Sequence, residues 1–122
     1  MAILESGEIY VEAIYVLSLE SEKIRGKDIS EYLGVTRPSV SRALNSLRER
    51  GLARKEKNGL IRLTEGGLIL AKHIYDRHQI IARHFMDLGV DEKTAKEDAS
   101  RIEQFISDST FNAVKASVIR PS

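Results

Sequence analysis

Apolar positions along the chain recur every three or four residues in some segments and form short dense runs in others, and the switches mark out its elements. Glu8 to Leu19 is almost continuously apolar, carrying Ile9, Tyr10, Val11, Ala13, Ile14, Tyr15, Val16, Leu17 and Leu19 around one internal acid, Glu12. Such a run predicts a helix buried on most sides. Ile29 and Leu33 lie four apart among Lys27, Asp28, Ser30 and Glu31, which predicts a short helix with a single apolar face. Gly34 stops it, because glycine enters the left-handed conformation of a helix C-terminus without a Cβ penalty. After Val35, an apolar plug, Thr36 is a natural N-cap and Pro38 falls in a first turn where a missing N–H is no loss. A second helix is therefore expected from about Arg37 to Arg50, with Val40, Ala43, Leu44 and Leu47 inward and Gly51 at its end.

Leu52 to Lys55 and Leu60 to Leu63 then read as two short strands joined through Asn58-Gly59, a dipeptide suited to a doubly left-handed hairpin turn. Thr64 caps a long helix from about Glu65 to Leu88, whose stripe Ile74, His78, Ile81, Phe85, Leu88 alternates steps of four and three. A heptad-like seam of this kind meets another helix. Asp91 opens a further helix bearing Ala95, Ala99, Ile102 and Ile106, and a last one is expected after Asp108 with Phe111, Val114 and Val118. The fold class is mainly α with a small β-hairpin wing. Residues 1–66 form a winged helix-turn-helix and residues 67–122 a helical domain with more apolar surface than one small lobe can hide, which a symmetric dimer would cover.

Charge sharpens this picture. The whole chain is only +1, yet Val35 to Leu63 holds eight Lys or Arg (Arg37, Arg42, Arg48, Arg50, Arg54, Lys55, Lys57, Arg62) against Glu49 and Glu56, a net of +6. A nearly neutral protein that gathers its positive charge on one small module is suited to a polyanion, because counterion release from phosphates drives nonspecific nucleic-acid binding. In this motif the N-terminal residues of the second helix enter the major groove. The candidate DNA contacts are Lys27, Thr36, Arg37, Pro38, Ser39, Ser41, Arg42, Asn45 and Lys57, with Lys57 on the wing touching phosphate.

Composition excludes several other classes. A chain of 122 residues with 42% hydrophobic side chains buries roughly 65% of its unfolded surface, enough for a modest core. Cysteine is absent, so disulfides, cysteine-based zinc modules and thiol catalysis are excluded. No apolar stretch reaches membrane-spanning length and the start, MAILESGEIY, lacks the features of a signal peptide, so a cytoplasmic protein is expected. No zincin motif, nucleophile elbow or phosphate-cradling glycine loop occurs, and an enzyme is not expected.

Three polar side chains interrupt apolar stripes: Glu12 within IYVEAIYVL, His78 in the long seam, and Glu103 between Ile102 and Phe105. A buried carboxylate needs a cation or a proton, and two carboxylates with an imidazole can hold a divalent metal. Helical spacing does not decide between this and a structural arrangement, in which His78 is a hydrogen-bonded core histidine and Glu12 or Glu103 reaches solvent or pairs with an arginine such as Arg77 or Arg101.

An EIYVEAIYVL helix, a winged helix-turn-helix, a long helix with YDRHQIIARHFMDLGVDE and a helix ending DASRIEQFIS follow one another here. This order, collinear from about Glu8 to Ser107, resembles the metal-dependent repressor family of the diphtheria toxin repressor and the manganese transport regulator. The resemblance implies a homodimer that binds double-stranded operator DNA when a divalent metal ties the first helix to the dimerisation helices. The chain ends before the SH3-like third domain of the iron-responsive branch, so its outline is similar to the manganese branch. Glu12, His78 and Glu103 match family ligands by position. Ile9 stands where the family has an Asp or Met ligand, Ser100 where it has Glu or Cys, and Gln104 where it has His. The resemblance thus implies one divalent ion, manganese or iron, with Ser100 and Gln104 lending neutral oxygens. The competing expectations are a metal-independent regulator of the same family and a winged-helix module that binds a protein, which would carry an apolar patch in place of Arg37, Arg42 and Arg48.

Overall fold

The computed structural model of the chain describes residues 2–103 and 105–119, except the side chains of residues 2–6 and 119. The order of elements is α1 (Ala2–Ser18), α2 (Gly26–Leu33), α3 (Arg37–Glu49), β1 (Ala53–Lys55), β2 (Ile61–Leu63), α4 (Glu65–Asp87), α5 (Glu92–Glu103) and α6 (Asp108–Ile119). Two compact units divide the chain within α4, Met1–Lys72 and His73–Ser122.

In the first unit Tyr10, Val11 and Ile14 of α1 pack with Ile29 of α2, Val40, Leu44 and Leu47 of α3, and Ala53 and Ile61 of the hairpin. Burying an aliphatic side chain of this size stabilises by about 1.5–3 kcal/mol, so this cluster is what holds the three helices and the hairpin together. Only one side of α1 is sealed in this way: Tyr15, Val16 and Leu17 are half-buried, and Leu19, beyond the helix end, is exposed. The expected burial on most sides therefore gives way to one face.

The turn between α2 and α3 is built as the residues dictate. Gly34 has φ 69°, and its N–H bonds to the Ser30 carbonyl at 2.9 Å. The Thr36 hydroxyl accepts from the Ser39 N–H at 3.3 Å, and Pro38 sits in the first turn of α3. The hairpin pairs Ala53 with Leu63 and Lys55 with Ile61 in antiparallel register. Its turn differs from the expectation. Gly59 has φ 87°, but Asn58 does not share the left-handed conformation, and the Gly59 N–H bonds back to the Glu56 carbonyl at 3.0 Å. The Glu56 N–H also bonds to the Leu60 carbonyl at 2.7 Å, so three residues, not two, make the loop. That is a tight turn closed by one left-handed glycine, and it spares asparagine a strained backbone.

In the second unit α4, α5 and α6 pack through Ile81, Ala82, Ala95, Ala99 and Phe111. Ala95 and Ala99 of α5 are fully buried in this cluster. Asp91 caps α5 by accepting the Thr94 N–H at 3.0 Å, and this bond holds its carboxyl below the usual carboxylate range. The cap of α6 is Ser107, whose hydroxyl accepts from the Thr110 N–H at 3.1 Å. One expected seam position departs from the heptad reading: Leu88 is exposed, whereas Phe85 packs against the core that α4 shares with α5 and α6. Leu88 lies after the last residue of α4, where the chain turns through Gly89 and leaves the helical phase.

Candidate nucleic-acid interface and metal centre

Side chains of α3 that do not enter the core point outward. Thr36, Arg37, Pro38, Ser41, Arg42, Asn45 and Arg48 are exposed and Ser39 is half-buried. The half-buried state of Ser39 has a cause: its hydroxyl lies 2.9 Å from that of Thr36 and accepts from Arg42 Nη2 at 3.3 Å. The cap of the helix thereby also orients the first arginine beyond the N-terminal turn. Lys27, on α2, and Lys57, in the hairpin loop, are exposed as well. Among the described residues, none of the exposed large apolar side chains lies on α3.

The wing is held in place by a residue that sequence reasoning passed over. Arg25 precedes α2, and its N–H donates to the Asp28 carboxylate at 2.8 Å. Its guanidinium reaches across to the Asn58 carbonyl, with Nη1 donating at 2.7 Å. At Gly59, whose φ of 87° favours glycine, a Cβ would lie 2.9 Å from the same Nη1, so any larger residue would also displace the arginine's tip. The Ile61 N–H donates to the Ile24 carbonyl at 2.8 Å, which fastens β2 to the segment carrying Arg25. Glu56 pairs with Arg62 at 3.1 Å and Arg54 at 3.7 Å, steadying two arginines of the hairpin. A contact spanning thirty-three residues leaves no periodic trace in a sequence. The only local signal for Arg25 was its position three residues before Asp28, at a helix start.

Of the polar trio, the second unit holds His78 and Glu103. Glu103 is buried, and its Oε2 lies 3.7 Å from His78 Nε2, with both atoms sealed from solvent. That separation is too long for a hydrogen bond, and Oε2 accepts none among the described residues. Its other oxygen, Oε1, is 3.5 Å from Nε of the buried Arg77, whose Nη1 donates to Asp108 Oδ1 at 3.3 Å. The Phe111 ring lies beneath this guanidinium, 4.1 Å from its central carbon. Of the two arginines considered as partners for a buried acid, Arg77 takes the role. Arg101 pairs with Asp98 on its own helix.

An imidazole nitrogen and a carboxylate oxygen are suitable donors for a divalent ion, and a gap wider than a hydrogen bond is within the span of two metal–ligand bonds of about 2 Å. His78 and Glu103 therefore fit such an ion as a pair. Among the described residues, no group of three or more His, Cys, Asp or Glu side chains gathers into a metal-holding cluster. Glu12 is half-buried on α1 in the first unit, next to the core positions Val11 and Ala13, and Ile9 one turn earlier is half-buried too. Ser100 lies one turn before Glu103 and is half-buried, whereas Gln104 lies outside the described residues.

Residues 2–61 match the model of the iron dependent repressor N-terminal DNA binding domain, and residues 64–122 that of the iron dependent repressor metal binding and dimerisation domain. The chain belongs to the iron-dependent repressor family. It is 33% identical over 113 residues to an uncharacterized HTH-type transcriptional regulator of Methanocaldococcus jannaschii, a match that covers 91% of this chain and 90% of that one. It is 34% identical over 106 residues to the transcriptional regulator MntR of Escherichia coli, covering 87% of this chain and 68% of MntR. The solved structure of the manganese regulator SloR superposes with a TM-score of 0.82 at 32% identity and covers 94% of this chain. The chain spans about half of SloR, 54% of its length. Within this family the winged helix-turn-helix and the helical unit follow in the order seen here, and none of the helices among the described residues is long and apolar enough to cross a membrane.

Proposed function

We infer that this chain is a homodimeric, sequence-specific DNA-binding transcriptional regulator of the cytoplasm, a repressor whose operator affinity responds to divalent manganese or iron. The observation that carries the reading is the outward face of α3: basic, polar and empty of large apolar side chains, with the wing held beside it by Arg25. That face argues for DNA over a protein-binding module, which would need an apolar anchor there. Residues 1–66 would read the operator and residues 67–122 would dimerise and sense metal.

In the reading complex, Arg42 forms a bidentate pair with a guanine edge, and the methyl of Thr36 and ring of Pro38 lie against thymine. Arg37, Ser39, Ser41 and Asn45 line the same groove, and Lys27 and Lys57 neutralise phosphates. Two copies place two α3 helices on successive half-sites, so the operator is a pseudo-palindrome. Ile102 and Phe105, exposed on the second unit beside Ile106, supply the apolar surface for pairing.

His78 and Glu103 would hold the metal, with Glu12 as the third ligand that the family resemblance assigns and Ser100 and Gln104 as neutral oxygens. A bound ion would supply a fixed positive charge that links its ligands. A second reading, metal-independent DNA binding, is favoured by one observation: Glu103 already has a cation in Arg77. Selection of genomic DNA fragments by the purified chain, with manganese and with a chelator, tests these readings. Recovery of fragments sharing one pseudo-palindromic sequence supports the regulator, and enrichment only with manganese supports metal control. Equal enrichment in chelator favours the second reading, and recovery of fragments with no shared sequence would contradict both.

A further inference from the structure

The metal reading leaves Arg77 without a task, and its surroundings suggest one. Arg77 and Glu103 are each 7% exposed, so this is an ion pair withdrawn from water, where losing a partner is costly. One carboxylate faces two ways: Oε1 toward Arg77 Nε at 3.5 Å and Oε2 toward His78 Nε2 at 3.7 Å. A divalent ion taken up between His78 and Glu103 would lie close to a guanidinium that shares the same negative charge. In a medium less polarisable than water the two cations oppose each other strongly.

Arg77 also has an alternative partner. Asp108, at the start of α6, accepts its Nη1 at 3.3 Å and is 93% exposed at the side chain, so it can be solvated or paired at little cost. Phe111 keeps the guanidinium between the two acids by its ring face. We propose that Arg77 and a divalent ion compete for the Glu103 carboxylate, with Asp108 holding the guanidinium as Glu103 turns to the ion. The arginine thereby sets the metal concentration at which the protein responds. This rests on the metal reading above, and all of its groups lie in the second unit.

Calorimetric titration of the purified full chain with manganese chloride, paired with thermal melts, tests it. In Arg77→Met, which keeps an apolar stem over Phe111 and removes the charge, manganese should bind roughly tenfold more tightly or better. The metal-free variant should melt lower than the unmutated protein, and manganese should raise its melting temperature by the larger amount. Asp108→Ala should weaken manganese binding roughly threefold, and this loss should shrink in the Arg77→Met background, because Asp108 acts through Arg77. If the loss persists undiminished there, Asp108 acts directly and the shared-arginine arrangement is wrong. Should Arg77→Met fail to melt cooperatively, Asp108→Ala alone decides, since it alters an exposed side chain, and unchanged affinity overturns the proposal. Manganese binding that is equal in all variants overturns the competition alone. No binding by any of them overturns the metal reading and the competition with it.

Discussion

Arg42 and Lys57 carry the same charge but occupy different surroundings, and their substitutions should separate. Arg42 leaves the first turns of α3 with its guanidinium tethered to Ser39, whereas Lys57 projects from the hairpin loop. Arg42→Ala should cost about 1–3 kcal/mol of operator binding and relax preference at one base pair. Lys57→Ala should weaken all duplexes alike and reduce the slope of affinity against salt by about one. Binding isotherms at several salt concentrations, on operator and scrambled DNA, check both; equal loss of sequence preference would refute the division. At Asp91 the expectation concerns pH. Its carboxyl titrates below its usual range because the Thr94 N–H, and secondarily the Thr94 hydroxyl, bond to the charged form. A depressed folded-state pKa means that its contribution is complete above the unfolded-state value and is lost as pH falls through the lower folded-state value. Asp91→Asn keeps a cap without the charge, so acid melts of this variant should show a shallower loss of stability than the unmutated protein.

Between elements, the wing depends on a contact that no helix or strand contains. Arg25→Ala removes the bond to the Asn58 carbonyl while leaving the register of β1 and β2, so the hairpin tip should loosen and its amides exchange faster with solvent. Operator affinity should fall, with α3 contacts and fold intact; hydrogen exchange protection at the tip that matches the unmutated protein would speak against the anchoring role. The sequence made most elements legible because their signals are local. Thr36, Pro38 and Gly34 act on the residues beside them, and the stripe of Val40, Leu44 and Leu47 needs only a helical period. The hairpin turn was legible only as a turn: Asn-Gly suits two conformations, and the closing bond from Glu56 to Leu60 decides between them. At the candidate metal centre, the residue types His78 and Glu103 could be singled out as misfits in apolar stripes, and Arg77 could be offered as a partner. Which oxygen faces which cation depends on the packing of three helices, because the adjacent residues Arg77 and His78 reach the two oxygens of one carboxylate, an arrangement that helical spacing alone does not specify.

At the scale of the whole molecule, reading a two-fold operator requires two copies. Phe105 is 74% exposed and Ile102 37%, whereas Phe85 belongs to the core of its own unit. Phe105→Asp should therefore give folded monomers by light scattering, and Phe85→Asp should instead unfold the helical unit. A folded Phe105→Asp protein that remains dimeric would move the pairing surface elsewhere. Monomers cover one half-site each, so the same variant should lose most operator affinity. Binding of the selected operator, followed by fluorescence anisotropy across protein concentration in manganese and in chelator, with a scrambled duplex beside it, tests metal-responsive operator binding by the dimer. Saturation at one dimer per operator is expected, with weaker binding in chelator and far weaker binding of the scrambled duplex in either condition. Equal affinity for operator and scrambled DNA would contradict it.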